Sequence, residues 1–341
     1  MSSSRIRWAV PVVVAATVAG SVLVGSATAG ADPSTLAPRT AAELLADLAA
    51  PTTDALSGTV TESADLGLPA LPTTGHDALG PTTLLTGTHT LRVWTDGPDR
   101  SRVALQGQLA EYDVVRSGAD VWTWSSQGRE ATHLSLPARS TGAVPPSGLP
   151  STPGEAASAA LAAIGPSTTV AVDDAVSVAG RPARQLVLTP RGGDTLVGSV
   201  RIAVDAETHV PLQVQVYAAG AGAPAFQVGF SSVSFRAPAA DVFAFTPPAG
   251  ATVRQLTAPT TPAGAARPER SRPILSGTGW SSVLTLTGVR PTPAQIAQLD
   301  QLATVVPQGR LLSTALVSVL LTNDGRLLVG AVPARVLQAA A

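Results

Sequence analysis

The sequence predicts an α+β protein that is mostly β: about ten antiparallel strands with two helices, followed by a small α+β module. Three observations lead there. Short runs of alternating apolar residues recur, each closed by Gly, Pro, Asp or Ser. Two segments alone in the first 256 residues carry helix punctuation. Of the 341 residues, 45% are hydrophobic and 13% charged, enough apolar content to bury a core.

The elements follow in order. Arg5 and Arg7 precede an apolar stretch from Trp8 to Val24 and the small residues Ala27 to Ala31. Residues 1–31 therefore read as an export signal, either cleaved after an A-x-A site or kept as a membrane anchor. Both outcomes place the remainder outside the cytoplasm, secreted or held on the outer face of the membrane. Thr40 to Glu43 is a capping box that opens a helix over 40–50, stopped by Pro51. A strand runs from Leu56 to Leu68, and residues 69–86 form a loop rich in Pro, Gly and Thr. Strands at 88–95, 102–105, 111–116, 120–124 and 130–136 make a hairpin meander. Residues 137–153 carry five prolines, and Gly154 to Ile164 is an Ala-rich helix ended by Gly165 and Pro166.

A second meander follows at 168–178, 184–188, 196–205, 211–217 and 226–235, with a short strand at 241–246. Residues 257–272 read as a linker. The last module, 273–341, has a strand at 280–286 and a helix at 293–303. A hairpin joins Leu311–Leu321 to Arg326–Ala331 through Asn323, Asp324 and Gly325.

Charge narrows the function. Residues 40–256 hold 12 arginines against 19 acidic residues, and 257–341 hold 7 against 3. Neither part has the basic stripe that nucleic acid requires. The opposite signs either help the two parts dock or carry little, because surface pairs contribute little. With no cysteine there is no disulfide, thiol nucleophile or thiolate metal site.

Catalytic and metal chemistry find no local support. The four histidines at 76, 89, 133 and 209 have no metal-ligand spacing. Asp173 and Asp174 are adjacent in a strand region and so point to opposite faces. No G-x-S-x-G elbow occurs. No catalytic residue, metal or cofactor is expected, and the chain reads as a binding protein rather than an enzyme. The aromatics say more. Trp122 and Trp124 share one strand face, Phe226 and Phe230 another, and Trp94 ends a third strand. Such residues either pack a core or line an apolar cavity.

Four local motifs carry a resemblance. They are Leu56-Ser-Gly-Thr-Val60 after the first helix, and Val115-Arg-Ser-Gly-Ala-Asp-Val-Trp122-Thr-Trp124. Then come Pro211-Leu-Gln-Val-Gln-Val-Tyr217 after Asp205 to His209, and Phe243-Ala-Phe-Thr-Pro247-Pro-Ala-Gly250. In order and spacing residues 40–256 resemble the LolA/RseB superfamily of extracytoplasmic lipoprotein carriers and sensors. The chain is most similar to an actinobacterial branch with a C-terminal extension.

That resemblance implies a curved antiparallel sheet, an unclosed barrel, with helices on its concave face and an acyl chain of a lipid or lipoprotein bound between them. The expected lining is Trp94, Trp122, Trp124, Leu186, Leu188, Ile202, Val204, Val214, Val216, Phe226, Val228 and Phe230. The alternative it implies is a regulator that binds the external part of an envelope membrane protein, such as an anti-sigma factor. The arginine that latches the lid in some carriers is not specified here; Arg92, Arg102, Arg184 and Arg201 are the strand candidates.

Overall fold

The structure is a computed structural model that describes residues 36–68, 84, 86–107, 110–136, 152–162, 164–257 and 273–341. The expected export signal at 1–31 lies outside the described residues. So do nearly all of the loop at 69–86, most of 137–153, and the linker but for Thr257.

Thr40 caps the first helix, α1 (Ala41–Ala49): its hydroxyl accepts from the Glu43 amide while the Glu43 carboxylate accepts from the Thr40 amide. The first meander is β1 (Ala55–Ala64), β2 (Gly87–Asp96), β3 (Arg100–Gln106), β4 (Glu111–Ser117), β5 (Asp120–Ser125) and β6 (Glu130–Ser135). Helix α2 (Pro153–Ala162) leads to β7 (Thr168–Val178), β8 (Arg181–Pro190), β9 (Val197–Asp205), β10 (Pro211–Ala218) and β11 (Pro224–Ser234). Strand β12 (Thr252–Thr257) closes this part.

All twelve strands form one sheet, in the order β12-β6-β5-β4-β3-β2-β1-β11-β10-β9-β8-β7. The two meanders meet where β1 pairs antiparallel with β11, far apart in sequence. Gly58 sits at that seam. A Cβ there would lie 2.4 Å from the Ser232 carbonyl oxygen, so only glycine lets β11 approach so closely. The sheet is open, with β12 and β7 as its edges, and β7 comes back to within contact of β11 without bonding to it. This is the open, mostly antiparallel sheet that the sequence leads one to expect.

Two expectations need correction here. The predicted strand at 241–246 is instead a 3-10 turn at Ala240–Phe243 followed by extended chain. The amides of Val242 and Ala244 are spent on local bonds to the Ala239 and Asp241 carbonyls rather than on a ladder. The strand comes later, as β12, and it pairs parallel with β6.

The second sheet has six strands, in the order β13-β14-β18-β17-β16-β15. They are β13 (Ile274–Ser276), β14 (Val283–Leu286), β15 (Thr304–Val306), β16 (Gly309–Ser313), β17 (Ser318–Thr322) and β18 (Leu327–Gly330). Helices α3 (Pro293–Asp300) and α4 (Ala334–Ala340) complete it. The apolar run Leu311–Leu321, expected as one strand, is two antiparallel strands. Thr314 breaks it: its hydroxyl accepts from the amides of Leu316 and Val317 and donates to the Val317 carbonyl. The Asn323–Gly325 turn stands where expected, with Gly325 at φ +82°.

The two sheets share one core. Leu316, Val317 and Val329 of the C-terminal module pack in the same buried cluster as Leu186, Ile202 and Phe226 of the large sheet. The Ala315 amide donates to Leu66, the Leu196 amide donates to Ala331, and the Trp280 indole donates to Thr168 Oγ1 at 2.8 Å. Among the described residues one exposed pair runs between the oppositely charged parts, Arg335 with Asp194 at 2.8 Å. It contributes less than the buried contacts beside it.

Candidate functional site

Alternate residues of a strand face opposite sides of a sheet, so the register assigns each expected site residue to a face. Phe230, Val228 and Phe226 lie opposite Val60, Glu62 and Ala64 of β1. Across the next pairings Val228 meets Val214, Val214 meets Ile202 and Ile202 meets Leu186. Phe226 meets Val216, Val216 meets Val200 and Val200 meets Leu188. Val204 falls on the same face, two residues beyond Ile202. Nine expected residues therefore form one apolar surface across β8–β11: Leu186, Leu188, Ile202, Val204, Val214, Val216, Phe226, Val228 and Phe230.

Helix α2 packs on β10 and β11, and α1 contacts β7. Leu44 of α1 and Ala156 and Ala157 of α2 are buried in the same cluster as the nine, so this is the helix-covered face. None of the nine is more than 6% exposed. Protein atoms already cover them, and a ligand reaches them only by displacing part of that cover.

The three tryptophans lie elsewhere. Trp94 pairs with Arg102, Arg102 with Val115, Val115 with Trp122, and Trp122 with His133. Trp124, two residues on, shares that face. Leu91 and Val93 of β2 point the other way, into the helix-covered core. Trp94, Trp122 and Trp124 thus occupy the opposite face and do not join the other nine.

What covers two of them is the segment after β11. Phe245 lies 5.4 Å from Trp122 and 6.3 Å from Trp124, ring centre to ring centre. Phe243 is buried, and its neighbour Val242 accepts from Arg102 Nη1. Arg102 also holds the buried Asp113 through two bonds of 3.1 and 3.0 Å. His133 stacks on Trp122 at 4.2 Å and contacts Asp120 and Gln255 through its two nitrogens. The closing Phe-x-Phe motif is therefore a strap over the back of β3–β5, and Trp122 and Trp124 are its packing partners. Trp94 carries Arg92 and Arg102 over its ring and lines an open groove of about 260 Å³ with Ser57, Thr59, Ser232 and Ser234.

Of the four arginine candidates for a lid latch, Arg184 alone faces the helices. It donates to the Ala37 carbonyl, just before α1, at 2.7 and 3.2 Å. Arg92 and Arg102 are on the back face. Arg201 stacks over Tyr217 at 5.0 Å and approaches Asp173 at 3.6 Å.

Sequence reasoning missed Glu62. It sits on β1 between Val60 and Ala64, in register with His89 on one side and Val228 on the other. It is fully buried, and among the described residues neither carboxyl oxygen has a hydrogen-bond partner. Burial raises its pKa to about 8. The signal available was a lone acidic residue on the alternating apolar face of a strand.

Sequence reasoning also missed the pairing of Asp205, buried at the end of β9. Arg181 grips it with Nε and with Nη2 at 3.0 Å, and the Thr208 amide and hydroxyl donate to it at 2.7 and 2.8 Å. Burial alone would raise its pKa, but these bonds together hold it below the usual carboxylate range.

Neither a protein-family model nor a curated relative matches the chain. Solved structures do. The complex of MucA and MucB from Pseudomonas aeruginosa is 18% identical and covers 88% of this chain and 96% of its own, with a TM-score of 0.46. An uncharacterized conserved protein from Thermus thermophilus is 12% identical and covers 63% of this chain and 99% of its own, with a TM-score of 0.37. A LolA superfamily protein from Nitrosomonas europaea is 14% identical and covers 61% and 99%, with a TM-score of 0.23.

Proposed function

We propose that this chain binds the acyl chain of a lipid or lipoprotein outside the cytoplasm, on the apolar face of β8–β11 beneath α2, as a carrier rather than an enzyme. The observation that carries the reading is the mismatch between that face and its cover. Nine large apolar side chains span four strands. Leu44 of α1 and Leu316, Val317 and Val329 of the C-terminal module share their cluster, while over β10 and β11 helix α2 sets mainly Ala156, Ala157, Ala160 and Leu161 against them.

Magnitudes favour exchange. A buried methylene contributes about 0.8 kcal/mol. Three alanine methyls and one leucine therefore contribute about 4–5 kcal/mol to holding α2 down. An acyl chain that buries about ten methylenes contributes about 8 kcal/mol before the costs of binding. The surplus is small, about 3–4 kcal/mol or roughly millimolar affinity for ten methylenes, which suits a carrier that must release its cargo.

The test is native mass spectrometry of the purified full chain, with solvent extraction of whatever comes with it. An acyl-bearing adduct is expected. A preparation that stays empty after incubation with long-chain lipids overturns the reading.

A second reading, an envelope regulator that binds the external part of a membrane protein, is favoured by the free edges. β12 leaves Val253 and Leu256 44% and 53% exposed, and β13 leaves Ile274 and Leu275 56% and 47% exposed. Open edge strands with apolar side chains suit strand addition by a partner. On this reading Leu256→Asp abolishes crosslinking to a membrane protein, and on the carrier reading it leaves lipid binding unchanged.

A further inference from the structure

We propose that Glu62 is the head-group contact of this site, a buried hydrogen-bonding side chain that takes the hydroxyl groups of an amphiphile whose chain lies on the apolar face of β8–β11. The proposal rests on the acyl-binding reading and specifies which amphiphile it accepts.

Position comes first. Glu62 lies opposite Val228, one of the nine residues of the apolar face, and its diagonal neighbours Phe226 and Phe230 are two more. It therefore stands at the border of that surface, one strand from the pair that α2 covers.

Its bonding state comes second. The carboxyl group is fully buried, and both oxygens are unpartnered among the described residues. Buried polar side chains are almost always hydrogen-bonded, so this one stands out. The nearest titratable side chain in register is His89, whose Nε2 is already bonded to the Thr86 carbonyl at 2.9 Å. Arg184, on the same face three strands beyond β11, is held by Ala37. Among the described residues no cation neutralises Glu62, and burial favours its protonated form at neutral pH.

A protonated carboxyl donates one hydrogen bond and accepts others. A hydroxyl group has the same dual character, so the two pair without any charge entering the apolar interior. A ligand carboxylate would be desolvated with no cation to meet it. An alkylammonium would have to ionise Glu62 and bury an ion pair, whose desolvation offsets its attraction. The expected ligand class is an acylglycerol or a similar hydroxylated acyl lipid, not a free fatty acid or a cationic lipid.

The experiment compares three probes of one chain length, 1-monopalmitoylglycerol, palmitate and hexadecylamine, by displacement of an environment-sensitive alkyl dye from the full chain. Wild type is expected to bind the monoacylglycerol at least tenfold tighter than the other two. Glu62→Met should lose that preference, weakening monoacylglycerol at least tenfold and leaving palmitate within threefold. Glu62→Gln, which still donates and accepts, should stay within threefold of wild type. A carbon-13 resonance of the Glu62 carboxyl should move on adding the monoacylglycerol and stay put with palmitate, a readout that needs no variant.

If every probe binds but Glu62→Met changes nothing, the head-group proposal is overturned and the acyl-binding reading stands. If palmitate binds tightest, the ligand class is overturned. If no probe binds wild type, the acyl-binding reading falls and takes the proposal with it.

Discussion

At the scale of single residues, two buried carboxyls pull in opposite directions with pH. Glu62 is raised to about 8 by burial, so the folded state binds its proton more tightly than the unfolded chain does. Its contribution is complete below the ordinary glutamate range and is lost as pH rises from there toward 8, by up to about 1.4 kcal/mol per pH unit. The unfolding midpoint should therefore fall between pH 5 and pH 8 in wild type and fall less in Glu62→Gln, as thermal melts at several pH values will record. Melts that track each other would refute the buried, unpaired state of Glu62. Asp205 has the reverse sign. Its pKa is depressed, so its contribution is present above the ordinary aspartate range and is lost as pH falls through the lowered value. Removing Arg181 leaves Asp205 buried with part of its pairing gone. Arg181→Ala should cost about 3 kcal/mol in urea denaturation at pH 7, and much less at pH 2.

At the scale of elements, the carrier reading requires α2 to move. Its inward face is small: Ala157 is 1% exposed, and Ala156 beside it is 5%. A charge under that helix is not tolerated while it stays down. Ala157→Asp should lift it, raising the fluorescence of a hydrophobic dye severalfold while the far-ultraviolet strand signal stays near that of wild type. Loss of the strand signal would mean that α2 is part of the scaffold rather than a cover. Both helices are capped: in α2 the Thr152 hydroxyl accepts from the Glu155 amide at 3.2 Å, and α1 has in addition a tie before its start. Helix α1 has a complete capping box at its start, and Arg184 ties down the chain just before it.

At the scale of the whole molecule, the C-terminal module belongs to the core of the large sheet. Leu316 is fully buried in the shared cluster, and Leu66, Thr168 and Leu196 bond directly to the module. Two sheets with one core should unfold together. Leu316→Ala, which removes buried volume at the junction, should cost about 3 kcal/mol and shift both sheets in a single transition. Circular dichroism and tryptophan fluorescence followed through the same urea series will check this, since Trp280 sits in the module and Trp94, Trp122 and Trp124 in the large sheet. Two separate transitions would show that the module folds on its own.

Much of this was legible in the order of residues. The alternation Val200, Ile202, Val204 and Leu212, Val214, Val216 marks buried faces, and the Asn323–Gly325 turn and the Thr40 capping box place their elements within a residue or two. These are local effects: a two-residue side-chain period, a turn that needs positive φ, and a hydroxyl within reach of an amide three residues on. A strand's period says that Trp122 and Trp124 share a face and that Leu186 and Leu188 share a face. It does not say whether the two pairs share the same one. That depends on β11 pairing with β1 across about 170 residues of chain, which only the closed register decides. The same long-range pairing buries Glu62, reads β12 as a parallel edge strand and lays the Phe243 to Phe245 strap over the tryptophans. Contacts between distant segments are chosen by the packing of all of them at once, so no stretch of sequence carries that choice alone.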